Sequence, residues 1–255
     1  MEDLVLESNV VSKHNNMIEL FNKIIHFSIL LRTFNYLNKI NYFVQVGAHD
    51  GKMHDPLYSL LSKNNWNGVL IEPQKKMIQR FKRRYNERDN LQYFNLAVHP
   101  SKTTIKLYSL KNPENYSQTG WSSILPERFS LILNKNTIGT ELVKAKPLMS
   151  IIKDSKFRIV DLLQIDTEGY DYEVLKMFDF RVFRPIVVQY EHIHLSKDVY
   201  EKSKNLLIGN GYLIINKGSD TISIDKKVIN LRFILLYTFF RLKESIKSRM
   251  SKIFN

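Results

Sequence analysis

Cysteine is absent from the 255 residues. Disulfides, thiolate nucleophiles and cysteine-held metals are therefore excluded, although the compartment stays open on that ground. No basic leader precedes an apolar run at the start. Glu2, Asp3 and Glu7 stand there instead, so the expectation is a cytoplasmic protein without a cleaved signal. There is no internal repeat, low-complexity tract or linker. Acidic residues are in deficit: 25 Asp and Glu face 38 Lys and Arg, for a formal net charge of +13. Such an excess suits nucleic acid, an anionic membrane surface or an acidic substrate as a partner.

What is present is organised around Tyr42-Phe43-Val44-Gln45-Val46-Gly47-Ala48-His49-Asp50-Gly51. Tyr42 to Val46 is a short apolar run of the kind that forms a buried parallel strand. Gly47 and Gly51 let the loop after it turn tightly and approach a ligand, because they lack a Cβ. A second strand, Gly68-Val69-Leu70-Ile71, ends in Glu72. In nucleotide-binding α/β folds an acid at this strand tip reaches the ribose hydroxyls. The two stretches together point to an adenosine-containing cofactor.

Before them, apolar residues recur at helical spacing from Met17 through Leu20, Phe21 and Ile24 to Leu31, Phe34 and Leu37, predicting one or two amphipathic helices. After them, strand and helix alternate. A helix is expected from about Pro56 to Lys63, with Asp55 as its N-cap, and another over about 75–86. Strands are expected over Gln92–Val98, Thr103–Ser109, Val160–Ile165 and Pro185–Tyr190. A helix over Lys197–Gly209 leads to Tyr212–Ile215, and a turn at Asn216–Asp220 leads back to Thr221–Ile224. Residues 111–141 lose periodicity and read as a long lid or binding loop. Alternation of this kind predicts a parallel sheet, with one antiparallel strand from the final hairpin near its edge. Ligands then belong beyond the carboxyl ends of the strands. Those tips offer Gly47–Gly51, Glu72, Asp166–Gly169 and Glu191–His194.

Val46–Gly51, Asp55-Pro56-Leu57, Leu70-Ile71-Glu72-Pro73, Gly120-Trp121, Leu163–Lys176 and Tyr190-Glu191-His192 resemble the FkbM family of S-adenosylmethionine-dependent methyltransferases. The likeness covers roughly Tyr42 to Ile224. It implies a Rossmann-like class I methyltransferase fold with a mostly parallel seven-stranded sheet over 42–225. Helical extensions at 1–41 and 226–255 lie outside it. The resemblance also implies methyl transfer to a hydroxyl oxygen, often on sugars or polyketide-type metabolites. The nucleic-acid base methyltransferases carry Asp/Asn-Pro-Pro-aromatic after the fourth strand, where this chain has Asp166-Thr167-Glu168-Gly169. That difference weighs against nucleic acid as the acceptor.

The expected cofactor residues are Gln45, Gly47, Ala48, His49, Asp50, Gly51, Glu72 and Asp166. Gln45 stands where many such enzymes have an acid, so the charge facing the cofactor's ammonium falls to another residue, with Asp166 the candidate. His49 is read as a backbone residue in the left-handed region, which His tolerates better than most. Pro73 keeps Glu72 extended at its strand tip. His192, Asp166 and Glu168 are the expected catalytic residues, with His192 as base because histidine titrates near neutrality. One of Asp166 and Glu168 is expected to cap the following helix. Trp121, Tyr170, Glu191 and His194 are expected to touch substrate, although Trp121 reads equally as a loop anchor. A competing arrangement puts Mg²⁺ on Asp166, Glu168, Glu191 and His192. It is not favoured, because the spacing matches no ligand pattern.

Residues 226–255 hold eight basic residues against Glu244 alone. Val228–Leu242 is apolar but broken by Arg232 and Arg241, too short and interrupted to span a bilayer. It reads as an interfacial membrane helix, as a helix packed on its own domain, or as a dimer contact. The alternative to an enzyme is a basic binding protein for nucleic acid or an anionic membrane, with a vestigial cofactor pocket. RNA methylation is a further alternative.

Overall fold

The computed structural model describes residues 25–130 and 137–253. The helical positions expected at Met17, Leu20, Phe21 and Ile24 lie outside the described residues. The main sheet contains β1 (Tyr42–Val46), β2 (Asn67–Ile71), β3 (Leu91–Phe94), β8 (Leu162–Ile165), β9 (Val187–Glu191), β10 (Tyr212–Lys217) and β11 (Asp220–Asp225). Its order is β10-β11-β9-β8-β1-β2-β3, and β11 is the antiparallel strand. Val46 lies beside Ile71 on one side and Ile165 on the other, and Ile165 lies beside Tyr190. The four predicted tips therefore end level with one another along one edge.

Strand alternation explains the two-sided core. Phe43 and Leu162 face one apolar cluster, whereas Val44, Val46, Leu163 and Ile165 face the other. The first cluster is closed by α1 (Phe27–Tyr36) and α8 (Leu231–Ile253). The Phe34 and Phe233 rings stack 4.7 Å apart. The Tyr237 hydroxyl accepts from the His26 amide at 2.9 Å, and Arg32 pairs with Glu244 at 2.5 Å. Of the three readings of the basic tail, packing on its own domain describes this inner face. No described helix is long and apolar enough to cross a membrane. Helix α7 (Lys197–Gly209) closes part of the second cluster and falls where the periodicity put it.

The structure corrects the middle of the chain. The single strand expected over Gln92–Val98 is two. It breaks at Asn95, whose side-chain amide donates to the Glu72 and Pro73 carbonyls at 2.9 and 2.8 Å. Beyond the break, β4 (Ala97–Val98) joins a second sheet with β5 (Thr104–Leu110), β6 (Ser122–Ser123) and β7 (Ile138–Lys146), in the order β4-β7-β5-β6. Part of the expected long loop is thus paired: Tyr108 meets both Ser123 and Thr140. Strand β7 escaped notice because it is largely exposed and polar, burying only Val143 and Ala145. The helix expected at Pro56–Lys63 shortens to α2 (Tyr58–Leu61), and Asp55 binds the Leu57 amide ahead of it at 2.7 Å.

Candidate active site

A cavity of about 440 Å³ opens at the level edge of the main sheet. Gly47, His49, Glu72, Asp166, Glu168, Tyr170, Glu191 and His194 line it from the strand tips. The far wall comes from the second sheet and the segment leading into it, through Leu107, Trp121, Ser122 and Ser123.

The loop after β1 is built by its own backbone. Gly47 has φ +78°, and a Cβ there would lie 1.7 Å from the Asp166 carbonyl oxygen. Only glycine fits where β1 and β8 converge so closely. His49 has φ +45°, the left-handed backbone expected of it. Its amide donates to Glu72 Oε2 at 2.8 Å, while Glu72 Oε1 accepts from the Gln74 amide at 2.8 Å. Burial pushes the Glu72 carboxyl up to about 7, against the downward pull of those two amides.

Asp50 has a different task. Burial would raise it, but the Met53 amide, the Tyr116 hydroxyl and the Lys52 amide hold it down at about 2. Arg84 adds an ion pair at 2.9 Å. Asp50 clamps the loop and does not line the cavity. Gln45, Ala48 and Gly51 do not line it either. Gln45 turns under β1, where its amide donates to Asp55 Oδ1 at 3.1 Å and its carbonyl oxygen is buried without a partner. Gly51 sits against the Phe81 ring. These four, expected from the sequence to touch the cofactor, thus stand outside the residues that line the cavity.

At the tip of β8, Glu168 and Gly169 have φ +54° and +103°. A non-glycine residue held left-handed costs about 1 kcal/mol and tends to mark a functional turn. Neither Asp166 nor Glu168 caps the following helix (Asp171–Met177), which has no side-chain cap. Its first residue, Asp171, instead ties down the turn, accepting from the Thr167 hydroxyl at 3.0 Å and the Gly169 amide at 3.2 Å. That leaves both tip carboxylates for the cavity. Burial raises Asp166 well above the usual carboxylate range, and the charges of Glu191, Asp171 and Glu168 add to it.

Glu168 is held low instead. Burial opposes ionisation, but His194 and Arg128 outweigh it. Arg128, on the short helix α4 (Glu127–Ser130), reaches Glu168 Oε2 with Nη2 at 2.9 Å and His194 Nε2 at 3.0 Å. His194 Nε2 also lies 3.3 Å from Glu168 Oε2 and 3.4 Å from Glu191 Oε2. Glu191 is pushed up to about 7 by burial first and the Glu168 charge second, and its Oε2 is buried without a hydrogen-bond partner. Two carboxylates in one corner thus have opposed proton affinities.

His192 does not reach this corner. Alternation along β9 sends Glu191 to the cavity and His192 to the other side. There its ring stacks on Tyr200 at 4.5 Å and Nδ1 meets the Thr221 hydroxyl at 3.0 Å. His194, one turn further on, supplies the imidazole in the cavity. Arg128 was invisible in the sequence, because it lies in a stretch with neither motif nor periodicity. The metal set also changes: Glu168, Glu191 and His194 have ligand atoms within 4.8 Å of one another. The Arg128 guanidinium already neutralises that corner from hydrogen-bonding distance, which disfavours a divalent cation there. Trp121 lines the cavity, as does Tyr170, whose ring lies parallel to His99 at 6.2 Å.

A seven-stranded sheet in this order, with one antiparallel strand and a polar crevice at its carboxyl edge, defines a class I methyltransferase fold. Residues 45–214, about two thirds of the chain, match the model of the methyltransferase FkbM domain. The chain belongs to that family. No curated protein sequence matches it. Among solved structures it is similar to methyltransferase FkbM from Methylobacillus flagellatus KT, at 16% identity and a TM-score of 0.46. That match covers 73% of this chain but 44% of the other, so the chain spans less than half of that protein. It is also similar to precorrin-6y C5,15-methyltransferase from Geobacter metallireducens GS-15, at 12% identity, a TM-score of 0.39 and coverage of 76% and 88%. For the METTL16 MTase domain the corresponding values are 12%, 0.41, 76% and 64%.

Proposed function

We propose that the protein is an S-adenosylmethionine-dependent O-methyltransferase that acts on a hydroxyl of a sugar, glycan or related metabolite, in surface-polysaccharide biosynthesis. The observation that carries this reading is the charge of the cavity. In a chain of net charge +13, the cavity gathers Glu72, Asp166, Glu168 and Glu191 against Arg128. A sulfonium cofactor with an ammonium group is the ligand such a crevice suits. A bound cation favours ionisation of these raised acids, whereas a phosphate-rich acceptor opposes it.

The residues fit that cofactor. Gly47 leaves room at the closest approach of β1 and β8, and Glu72 is fixed at the tip of β2 to receive ribose hydroxyls. Asp166, raised by burial first and its acidic neighbours second, gains from a nearby cation. Bound there, S-adenosylmethionine supplies an electrophilic methyl group. The protein's part is placement and proton transfer. Glu191 Oε2, with a proton affinity near neutrality, accepts the proton of a hydroxyl set against it, and His194 beside it orients that hydroxyl. Arg128 keeps Glu168 ionised and so holds His194 in position. Trp121 and Tyr170 provide flat apolar faces for a sugar ring.

Titration calorimetry with S-adenosylmethionine is the direct test. Binding by the wild type that Asp166→Asn weakens supports the reading, and no heat at millimolar cofactor removes it. Transfer of a labelled methyl group to neutral glycans, but not to RNA, supports the acceptor class.

A further inference from the structure

Helix α8 has two apolar faces, and the fold uses one. Phe233 and Tyr237 are buried in the core. On the opposite side Leu231, Leu235, Phe239, Leu242, Ile246 and Met250 are each 53–70% exposed. They recur every three or four residues, so they form one strip along the length of the helix. Exposed strips of this size on a soluble surface mark an interaction site.

The charges around the strip say what covers it. Arg232, Lys243 and Lys247 follow one border and the exposed Arg249 the other. The helix has a single acid, Glu244, and it is turned away to Arg32 at 2.5 Å. Helices that pair with a second copy carry charges of both signs at their borders. Borders of one positive sign would repel a like helix and attract an anionic surface. The helix is not apolar enough to cross a bilayer. We infer that α8 is a peripheral membrane anchor: it lies in the plane of an anionic lipid surface, with the Leu235–Phe239–Leu242 strip at the acyl boundary and the flanking cations among the headgroups. The anchor is independent of what the cavity binds.

The test is sedimentation of the full chain with vesicles of phosphatidylcholine, alone or mixed with phosphatidylserine. The protein should pellet with the mixed vesicles, weakly with the neutral ones, and be released as salt rises. The double variant Leu235→Glu, Phe239→Glu should bind mixed vesicles at least ~tenfold more weakly. Because both side chains are exposed, it should keep the wild-type circular dichroism and unfolding temperature. Lys243→Glu with Lys247→Glu should abolish the preference for phosphatidylserine. No pelleting with mixed vesicles, or equal pelleting of the folded Leu235/Phe239 variant, overturns the inference. So does a dimer in analytical ultracentrifugation that Phe239→Glu splits and vesicles leave intact, since a second copy would then own the strip.

Discussion

The His49 amide and the Glu72 carboxylate, on loops after adjacent strands, are joined by a 2.8 Å hydrogen bond. The cofactor loop and the ribose-side acid are therefore one unit, set before any ligand arrives. Glu72→Gln keeps the side-chain shape but can satisfy only one of the two amides that face it. Cofactor affinity should fall roughly tenfold to a hundredfold, since a charged hydrogen bond is worth about 1.5–3 kcal/mol. Calorimetry reads this directly.

Gly47 and Gly218 offer a controlled pair. Both have positive φ, but an added Cβ at Gly218 meets nothing within 4 Å, whereas at Gly47 it strikes the Asp166 carbonyl. Gly218→Ala should cost about 1 kcal/mol from backbone conformation alone. Gly47→Ala should cost at least about 3 kcal/mol, because a strand must also move. Urea unfolding of the two variants separates backbone strain from collision.

The two neighbouring histidines should behave differently. His194→Ala and Glu191→Gln should each lower kcat by about 10²-fold or more, the usual scale for losing a proton acceptor. Glu191→Gln should also flatten the acid limb of the pH–rate profile near 7. His192→Ala should leave kcat within about threefold and show its effect as a lower unfolding temperature, through lost stacking on Tyr200. Equal losses in both histidine variants would contradict the assignment.

The buried acids give the unliganded protein an unusual pH dependence. Asp55 and Asp171 are raised from 3.8 to about 6, and Glu72 from 4.5 to about 7, in each case by burial. Between the unfolded and folded values the native state holds more protons than the unfolded chain, so stability falls as pH rises through that window. Asp50, lowered from 3.8 to about 2, acts oppositely: its contribution is lost as pH falls from about 4 toward 2. The unfolding temperature of the cofactor-free protein should therefore peak at about pH 4 and drop by several degrees by about pH 8. A maximum above pH 7 would contradict this account.

Phe233→Ala should cost about 3–5 kcal/mol, the range for emptying a buried aromatic site. The Phe34 ring opposite it would lose its stacking partner. Chemical denaturation checks the value; a loss below 1 kcal/mol would mean that α8 is an appendage.

The parallel strands were legible because they are buried on both faces and read as unbroken apolar runs. Val44, Leu70 and Leu163 needed no context to be placed. Strand β7 was not legible, since Glu141, Lys144 and Lys146 give it no apolar run. The break at Asn95 depends on the Glu72 and Pro73 carbonyls just beyond β2, which no local pattern reveals. Among site residues, those fixed by a strand tip were readable. His192 was misplaced because spacing alone does not say which side of a strand faces the crevice. Arg128 reaches the site across forty residues of sequence, through Glu168, and left no local trace.

The seam between α1 and α8 also governs how the chain is made. His26 meets Tyr237 across 211 positions, and Arg32 meets Glu244 across 212. The part of the central sheet's face that α8 covers stays open until the residues of α8 have been made, although α1 precedes the sheet. Closure by so distant a partner is slow, and the waiting face is apolar. The contacts that seal this face are thus among the last of the described fold to form.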